Sequence, residues 1–455
     1  MLSSYAKVSA DIITDLSECD GLCFRKAFSD DHLAKLFEKH KIDFRDRLMP
    51  PDVTLLAFCS QLIGKDRSCR RAVTRILNDR ESRGLFRCST STSAYCQARA
   101  RLPLPLVVDL AKQTAQFLES DCPPQWLWKG HHVKMIDGST LTMPDTQENQ
   151  ERWPQHGKQS EGVGFPIMRV VAIMSLATAA ISDFAYGPWQ GKETGELALA
   201  RRLLSSLEKG DLLLAERYYC SYFFIAMLQE LGIDLVTRLH GARDYDFRTG
   251  KRLGKGDHLA ELIKLPKPAW MDKDAYEKMP STLTVREIKS SKNGDEEIIV
   301  VMTLVDPGKY SRTELASVYK KRWNVELDLR SIKSVMGMDI LSCKTPDMIE
   351  KEVWTYILTY NLIRQLICQA ANKHRIEPRT ISFTGALQAF DAFYPSLRGS
   401  DHLKVKRAYE LMLDIIAENR IGNRPGRREP KAVKRRPKAY PLLQTSRSEA
   451  RQGSN

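Results

Sequence analysis

Tyr319, Arg322, Glu326 and Lys333 stand at offsets of three, seven and fourteen residues in the stretch YKKRWNVELDLRSIK. In a helix turning about 100° per residue, those offsets fall on one arc about 60° wide. One helix face therefore carries a carboxylate flanked by two cations and a phenol. That set suits a phosphate held beside a hard metal ion: the carboxylate binds the ion, and the two cations bind the phosphodiester. A solvated face with ordinary ion pairs is the other arrangement that the spacing leaves open. Ser311 and Glu314, just after Pro307-Gly308, form a capping box that starts this helix, and Gly337 ends it. Val318, Val325, Leu329 and Ile332 supply apolar packing positions between the polar ones.

Such a helix needs strands to bring further acids to it, and the preceding region has them. His132 to Ile136 predicts a short strand closed by Asp137, with Gly138-Ser139-Thr140 as a turn. Ile167 to Leu176 and Thr178 to Tyr186 are two apolar runs in succession, which predict paired buried strands. An amphipathic helix over Glu193 to Leu207 follows, then a strand over Leu212 to Ala215 that delivers Glu216. Ser221 to Leu231 predicts a helix and Ile233 to Leu239 another strand. Asp211 sits at the opposite end of its strand from Glu216. Pro188 to Thr194 reads as a turn with no catalytic part. Strand, two strands, helix, strand, helix, strand is an α/β order found in the ribonuclease-H-like fold and in many other α/β proteins.

Three domains are predicted around these elements. Residues 1 to 125 read as helical, with segments at Pro51 to Ile63, Ser68 to Leu77 and Ser91 to Leu102, and Pro123-Pro124 closes the region. Arginines such as Arg70, Arg71, Arg75, Arg99 and Arg101 on outer faces fit a helix-turn-helix-like DNA-binding module, and a plain helical bundle fits equally. Residues 130 to 375 form an α/β domain. Within it, 240 to 305 is a β-rich insertion with strands at Leu283 to Ile288 and Ile298 to Leu304. Met348 to Ala371 is apolar enough to be core. Residues 376 to 455 form a helical region with a tail rich in basic residues, Arg424 to Lys438. A flexible arm of that kind attracts phosphates without reading sequence.

The 455 residues carry 70 Lys and Arg against 56 Asp and Glu, a formal charge of +14. That balance favours a polyanionic partner, nucleic acid or an anionic membrane surface. The polar N-terminus has no apolar core of a secretory signal, and Val170 to Ile181, the longest apolar run, is too short to span a bilayer. The ten cysteines are scattered, with no Cys-x2-Cys pair. Structural zinc and a disulfide framework are therefore not expected, and a reduced, cytoplasmic, nucleoid-associated protein is.

The spacing Y-x2-R-x3-E-x6-K, complete at all four positions, resembles the signature of bacterial insertion-sequence transposases of the DDE class. The stretch RWNVELDLRSIKSVMGMDILSCKTPDMIEKEVW resembles the same family, and the likeness runs from about Arg45 to about Leu443. It implies a ribonuclease-H-like catalytic domain with a β-rich insertion. It implies three metal-binding catalytic carboxylates, Asp137, Glu216 and Glu326, and a two-metal Mg²⁺ or Mn²⁺ site. It implies that Tyr319, Arg322 and Lys333 hold phosphates of the transposon end, and that an aromatic residue of the insertion, Trp270 here, lies beside an extruded base; packing is the other role open to Trp270. Cleavage and strand transfer at terminal inverted repeats, into target DNA and as a homodimer, follow from the same likeness. The chain departs from the pattern once: Glu216-Arg217-Tyr218-Tyr219 has Glu where the family has Asp. That moves the carboxylate roughly 1.5 Å outward, against a tolerance of about 0.5 Å for catalytic placement. An impaired copy that occupies ends and represses its relatives, or a metal-dependent nuclease that never joins strands, are the competing expectations.

Overall fold

The computed structural model describes residues 30–44, 49–64, 66–82, 84, 88–292, 296–398, 402–422 and 444–452. Its N-terminal part is helical: α1 (Asp30–Lys39), α2 (Pro51–Ile63), α3 (Cys69–Ser82), α4 (Ser93–Arg101) and α5 (Leu104–Ser120). The chain then enters β1 (Val133–Thr142), β2 (Ile167–Ser175), β3 (Ile181–Pro188), α6 (Glu196–Arg202), β4 (Leu212–Ala215), α7 (Tyr222–Glu230) and β5 (Asp234–Arg238). Four antiparallel strands follow, β6 (Lys251–Gly254), β7 (Asp257–Ile263), β8 (Thr282–Lys292) and β9 (Glu296–Met302). The last part holds α8 (Arg312–Lys320), α9 (Asn324–Arg330), α10 (Pro346–Lys373), α11 (Phe383–Phe393) and α12 (His402–Glu418).

All nine strands form one sheet in the order β3-β2-β1-β4-β5-β9-β8-β7-β6. The pairs β1–β4 and β4–β5 are parallel, and the rest are antiparallel. The continuous apolar run Leu212-Leu213-Leu214-Ala215 explains the central place of β4, because a parallel strand covered on both faces needs apolar side chains at every position. Alternate residues then feed two cores. Met135, Met168, Val170, Leu212, Leu214 and Val236 pack with α2, α5 and α10. Ile136, Val171, Ile173, Leu213, Ala215 and Leu235 pack with α6 and α7 on the other face. α10 is buried along nearly its whole length, as its composition predicted.

Several expectations are corrected. The strand ending in Asp137 continues to Thr142, because Gly138, Ser139 and Thr140 stay in the antiparallel ladder opposite Val171, Val170 and Arg169. The helix expected over Glu193 to Leu207 shrinks to Glu196–Arg202, since Gly191 and Glu193 take positive φ values of 123° and 55° just before it. The insertion strands prolong the central sheet through β9 beside β5, and β6 and β7 join them. Arg99 is buried instead of facing outward: its guanidinium lies over the Phe58 and Tyr95 rings and donates to Cys69 Sγ at 3.3 Å. The basic tail Arg424 to Lys438 lies outside the described residues. No helix among those residues is long and apolar enough to cross a membrane.

Candidate active site

β1 is longer than its parallel neighbour, and that mismatch opens the site. The last paired residues of β1 and β4 are Met135 and Leu214. Two steps further on, Asp137 and Glu216 stand level at the carboxyl end of the parallel strands, the usual place for a ligand in an open α/β sheet. β2 still holds Asp137 on its other side, opposite Ala172. Asp137 Oδ1 accepts the Gly138 N–H at 2.8 Å. Burial pushes the Asp137 carboxyl up to about 6; Gly138 and Arg322 oppose the shift, and the carboxylates of Glu216 and Glu196 add to it.

The signature segment lies across this end of β1. Its capping box is formed: Glu314 N donates to Ser311 Oγ, and Ser311 N donates to Glu314 Oε2 at 2.9 Å. The segment is not one uniform α-helix. It tightens to a 3₁₀ turn over Lys321–Trp323 and widens to a π turn over Ser331–Val335, where Met336 N donates to Ser331 O. The polar residues nevertheless point at β1. Arg322 Nη2 donates to Glu326 Oε1 at 3.0 Å, and Arg322 Nη1 lies 4.0 Å from Asp137 Oδ2. Lys333 Nζ donates to Ser139 Oγ at 2.7 Å. Asp137 and Ser139, two apart on a strand, share one face. Tyr319 is buried beside Arg322. Burial works against the Arg322 charge, but Tyr319, Glu326 and Asp137 outweigh it and hold the guanidinium more firmly protonated. Burial lowers the Lys333 ammonium.

Glu216 is exposed and opens onto a cleft of about 550 Å³ lined also by Arg169, Glu196, Arg217, Tyr218 and His240. Its backbone oxygen accepts from Thr237 Oγ1 at 2.8 Å, which fixes the strand end. Glu196 is the acid that sequence reasoning missed. A Cβ at position 138 would lie 2.6 Å from its carboxyl carbon, so Gly138 makes the space into which Glu196 reaches. The signal was available in Gly138 directly after Asp137, yet a glycine there reads first as a turn. Burial raises the Glu196 carboxyl, opposed by Arg169 and assisted by Glu216.

The remaining candidates are placed as follows. Asp211 is buried at the amino end of β4, away from Glu216, in a second cleft with Glu119, His132 and Lys134. Trp270, 36% exposed, has the Arg201 guanidinium over its ring at 3.8 Å and meets Phe223 edge-on. Trp323 is 55% exposed next to Arg322.

Oxygen donors of this kind suit a hard divalent ion. Their placement does not yet suit one. Among the described residues, no three Asp, Glu, His or Cys side chains gather closely enough to hold a metal. Glu326 is turned toward Arg322, whose guanidinium stands between it and Asp137.

The model of the family described as "Transposase DDE domain" matches residues 128–362, from just before β1 into α10. The transposase InsG for insertion sequence element IS4 of Escherichia coli (strain K12) is 28% identical over 358 residues, covering 77% of this chain and 78% of that protein. The transposase for insertion sequence element IS421 of Escherichia coli is 28% identical over 69 residues, 15% of this chain and 19% of that one. A solved piggyBac transposase synaptic complex with hairpin DNA aligns over 94% of this chain and 87% of that chain, at a TM-score of 0.43 and 12% identity. The matched span takes in Asp137, Glu216, Glu326 and the whole signature segment, and the chain belongs to the family of insertion-sequence transposases with a DDE domain.

Proposed function

We propose that this DNA transposase cuts and joins DNA with Asp137, Glu216 and Glu326 as its catalytic carboxylates, acting on the terminal inverted repeats of one insertion sequence. The observation that carries the assignment is convergence. Asp137 and Glu216 leave neighbouring parallel strands at the same level, and the segment bearing Glu326 brings Arg322 to 4.0 Å from Asp137. The layout is ribonuclease-H-like: an α/β domain over 130–375 with the 240–305 insertion, a DNA-binding helical region over 1–125, and a helical C-terminal region over 376–455. Transposases of this class generally use divalent metal ions, and Mg²⁺ or Mn²⁺ in a two-ion site is part of this reading. The side chains must leave the placement described above to receive them.

The chain's own residues supply the rest. Arg322 offers a planar fork for a bidentate phosphate contact, and Lys333 a point charge on the next phosphate along. Both offset charge that builds on phosphorus oxygens during attack. Cleavage releases a 3′-hydroxyl at the element's end, whose oxygen forms a new bond to a target phosphorus as the old P–O bond there breaks. Trp270, partly exposed beside Arg201, takes an extruded base, and two copies of the chain hold the two ends.

The test is cleavage and joining of the element's natural ends by this chain, Glu216→Asp and Glu326→Ala. The expected result is product from the unaltered chain and none from Glu326→Ala. End binding without product from the unaltered chain, restored in Glu216→Asp, would instead favour a repressor that has lost its chemistry. Cleavage without joining would favour a nuclease.

A further inference from the structure

Asp137 and Glu326 have the chemistry of metal ligands but not the placement, and Arg322 lies beside both of them. Its side chain is 12% exposed and its guanidinium lies between the two acids: Nη2 is 3.0 Å from Glu326 Oε1, and Nη1 is 4.0 Å from Asp137 Oδ2. A fixed positive charge there competes with a divalent ion for both carboxylates and repels it as well. The pairing with Asp137 is incomplete, because Nη1 is buried with no hydrogen-bond partner. A buried donor left unsatisfied is costly, so an incoming acceptor at Nη1 is favoured. A phosphate oxygen is such an acceptor, and guanidinium–phosphate pairs are among the stronger charge-assisted contacts.

We propose that Arg322 is a substrate-released latch on the metal site. In the DNA-free protein it holds Asp137 and Glu326 against metal binding, and a DNA phosphate draws it away and frees both acids. The proposal rests on the assignment of Asp137 and Glu326 to the catalytic centre. The i,i+4 relation of Arg322 to Glu326 makes the latch local, since one helical turn sets the pair. The helix departs from regular α geometry at Arg322 itself, within the 3₁₀ turn Lys321–Trp323. The latch makes metal and DNA binding reciprocal: whatever factor DNA adds to metal affinity, metal adds to DNA affinity. It also confines the competent centre to the DNA-bound state.

The test is Mn²⁺ binding to the full chain, followed by electron paramagnetic resonance of the free ion. Titrations are run without DNA and with a short duplex of the element's terminal sequence, after subtraction of Mn²⁺ bound by the duplex alone. Arg322→Ala and Arg322→Gln remove the charge with different residual side chains, and Asp137→Asn removes a ligand. Circular dichroism and melting confirm that each variant is folded. The expected result is about tenfold tighter Mn²⁺ binding on adding the duplex to the unaltered chain. Both Arg322 variants should bind Mn²⁺ about that tightly without DNA and gain little from the duplex, and Asp137→Asn should weaken binding throughout. If Asp137→Asn weakens binding but neither Arg322 variant tightens it, the latch is overturned while the site assignment stands. If Asp137→Asn changes nothing, the site assignment fails and the latch fails with it.

Discussion

Glu119 anchors the strand that carries Asp137, and losing its charge should be costly although it lies outside the active site. Glu119 Oε2 accepts from Lys134 Nζ at 2.6 Å and from His132 Nδ1 at 3.1 Å, and Oε1 accepts from Thr178 Oγ1 at 3.1 Å. These contacts tie α5 to the start of β1 and to the β2–β3 turn. Burial alone would push the carboxyl up, but Lys134 and His132 outweigh it and hold it at about 2, against an ordinary 4.5. A carboxyl held that far below its ordinary range by its partners contributes on the order of 3 kcal/mol of stability at neutral pH. That agrees with the cost of about 3–5 kcal/mol for unpairing one member of a buried ion pair. Glu119→Gln should therefore lower the urea midpoint by an amount equivalent to about 3 kcal/mol at constant slope. The folded carboxyl is depressed, so its contribution is full above about 4.5 and is lost as pH falls toward about 2. His132 is raised by the same hydrogen bond, so its share is full below its ordinary 6.5 and is lost as pH rises through the raised value. Lys134→Met added to Glu119→Gln should recover part of the loss, because Lys134 is then not left buried without its carboxylate, while Asp211, whose charge Lys134 also favours, keeps the recovery incomplete. A cost below about 1 kcal/mol for Glu119→Gln, or no recovery in the double variant, would refute the reasoning.

Gly250 has φ +73°, and a Cβ there would lie 2.0 Å from the Leu259 carbonyl oxygen. Gly250→Ala should cost about 1–3 kcal/mol and open the β6–β7 hairpin, read as lower melting and faster amide exchange in β7; unchanged melting would contradict it. Trp270→Ala should weaken binding to the element's ends by about 1–3 kcal/mol, the value of one base–aromatic stack, as measured by gel shift. A melting loss of the same size would assign Trp270 to its packing on Arg201 and Phe223 instead.

How much was legible in the sequence differs by element. β4 announced itself through four consecutive apolar residues, and Glu216 followed from its end. The signature segment was legible from residue spacing and its capping box, and the box formed as written. β1 was cut short because Gly-Ser-Thr resembles a turn, and only the ladder to Val171, Val170 and Arg169 of β2 keeps it extended. The buried place of Arg99 was hidden for a related reason. Arginine reads as an outward residue, yet Phe58 and Tyr95 cover its guanidinium and Gln61 and Cys69 receive its N–H groups. Glu196 carried no local mark at all: its place beside Asp137 and Glu216 depends on a space left by Gly138, 58 residues earlier.

The signature spacing itself acquires a reason from β1. Arg322 and Lys333 are eleven residues apart, which in regular helix is about 16 Å along the axis. Their partners Asp137 and Ser139 are only two residues apart on a strand, about 7 Å. Two long side chains from separate turns therefore converge on neighbouring positions of one strand face, and Glu326 lies between them in sequence. An α-helix alone would place the four polar residues on an arc, but it would not bring their tips together. The 3₁₀ turn at Arg322 and the π turn at Lys333 change the local twist at the two residues that must reach furthest. Spacing in the sequence thus encodes the pattern along the helix, while the target of that pattern sits 194 residues away from Lys333 on β1. For that reason the cations were legible as a set, and their hold on Asp137 and Ser139 was not.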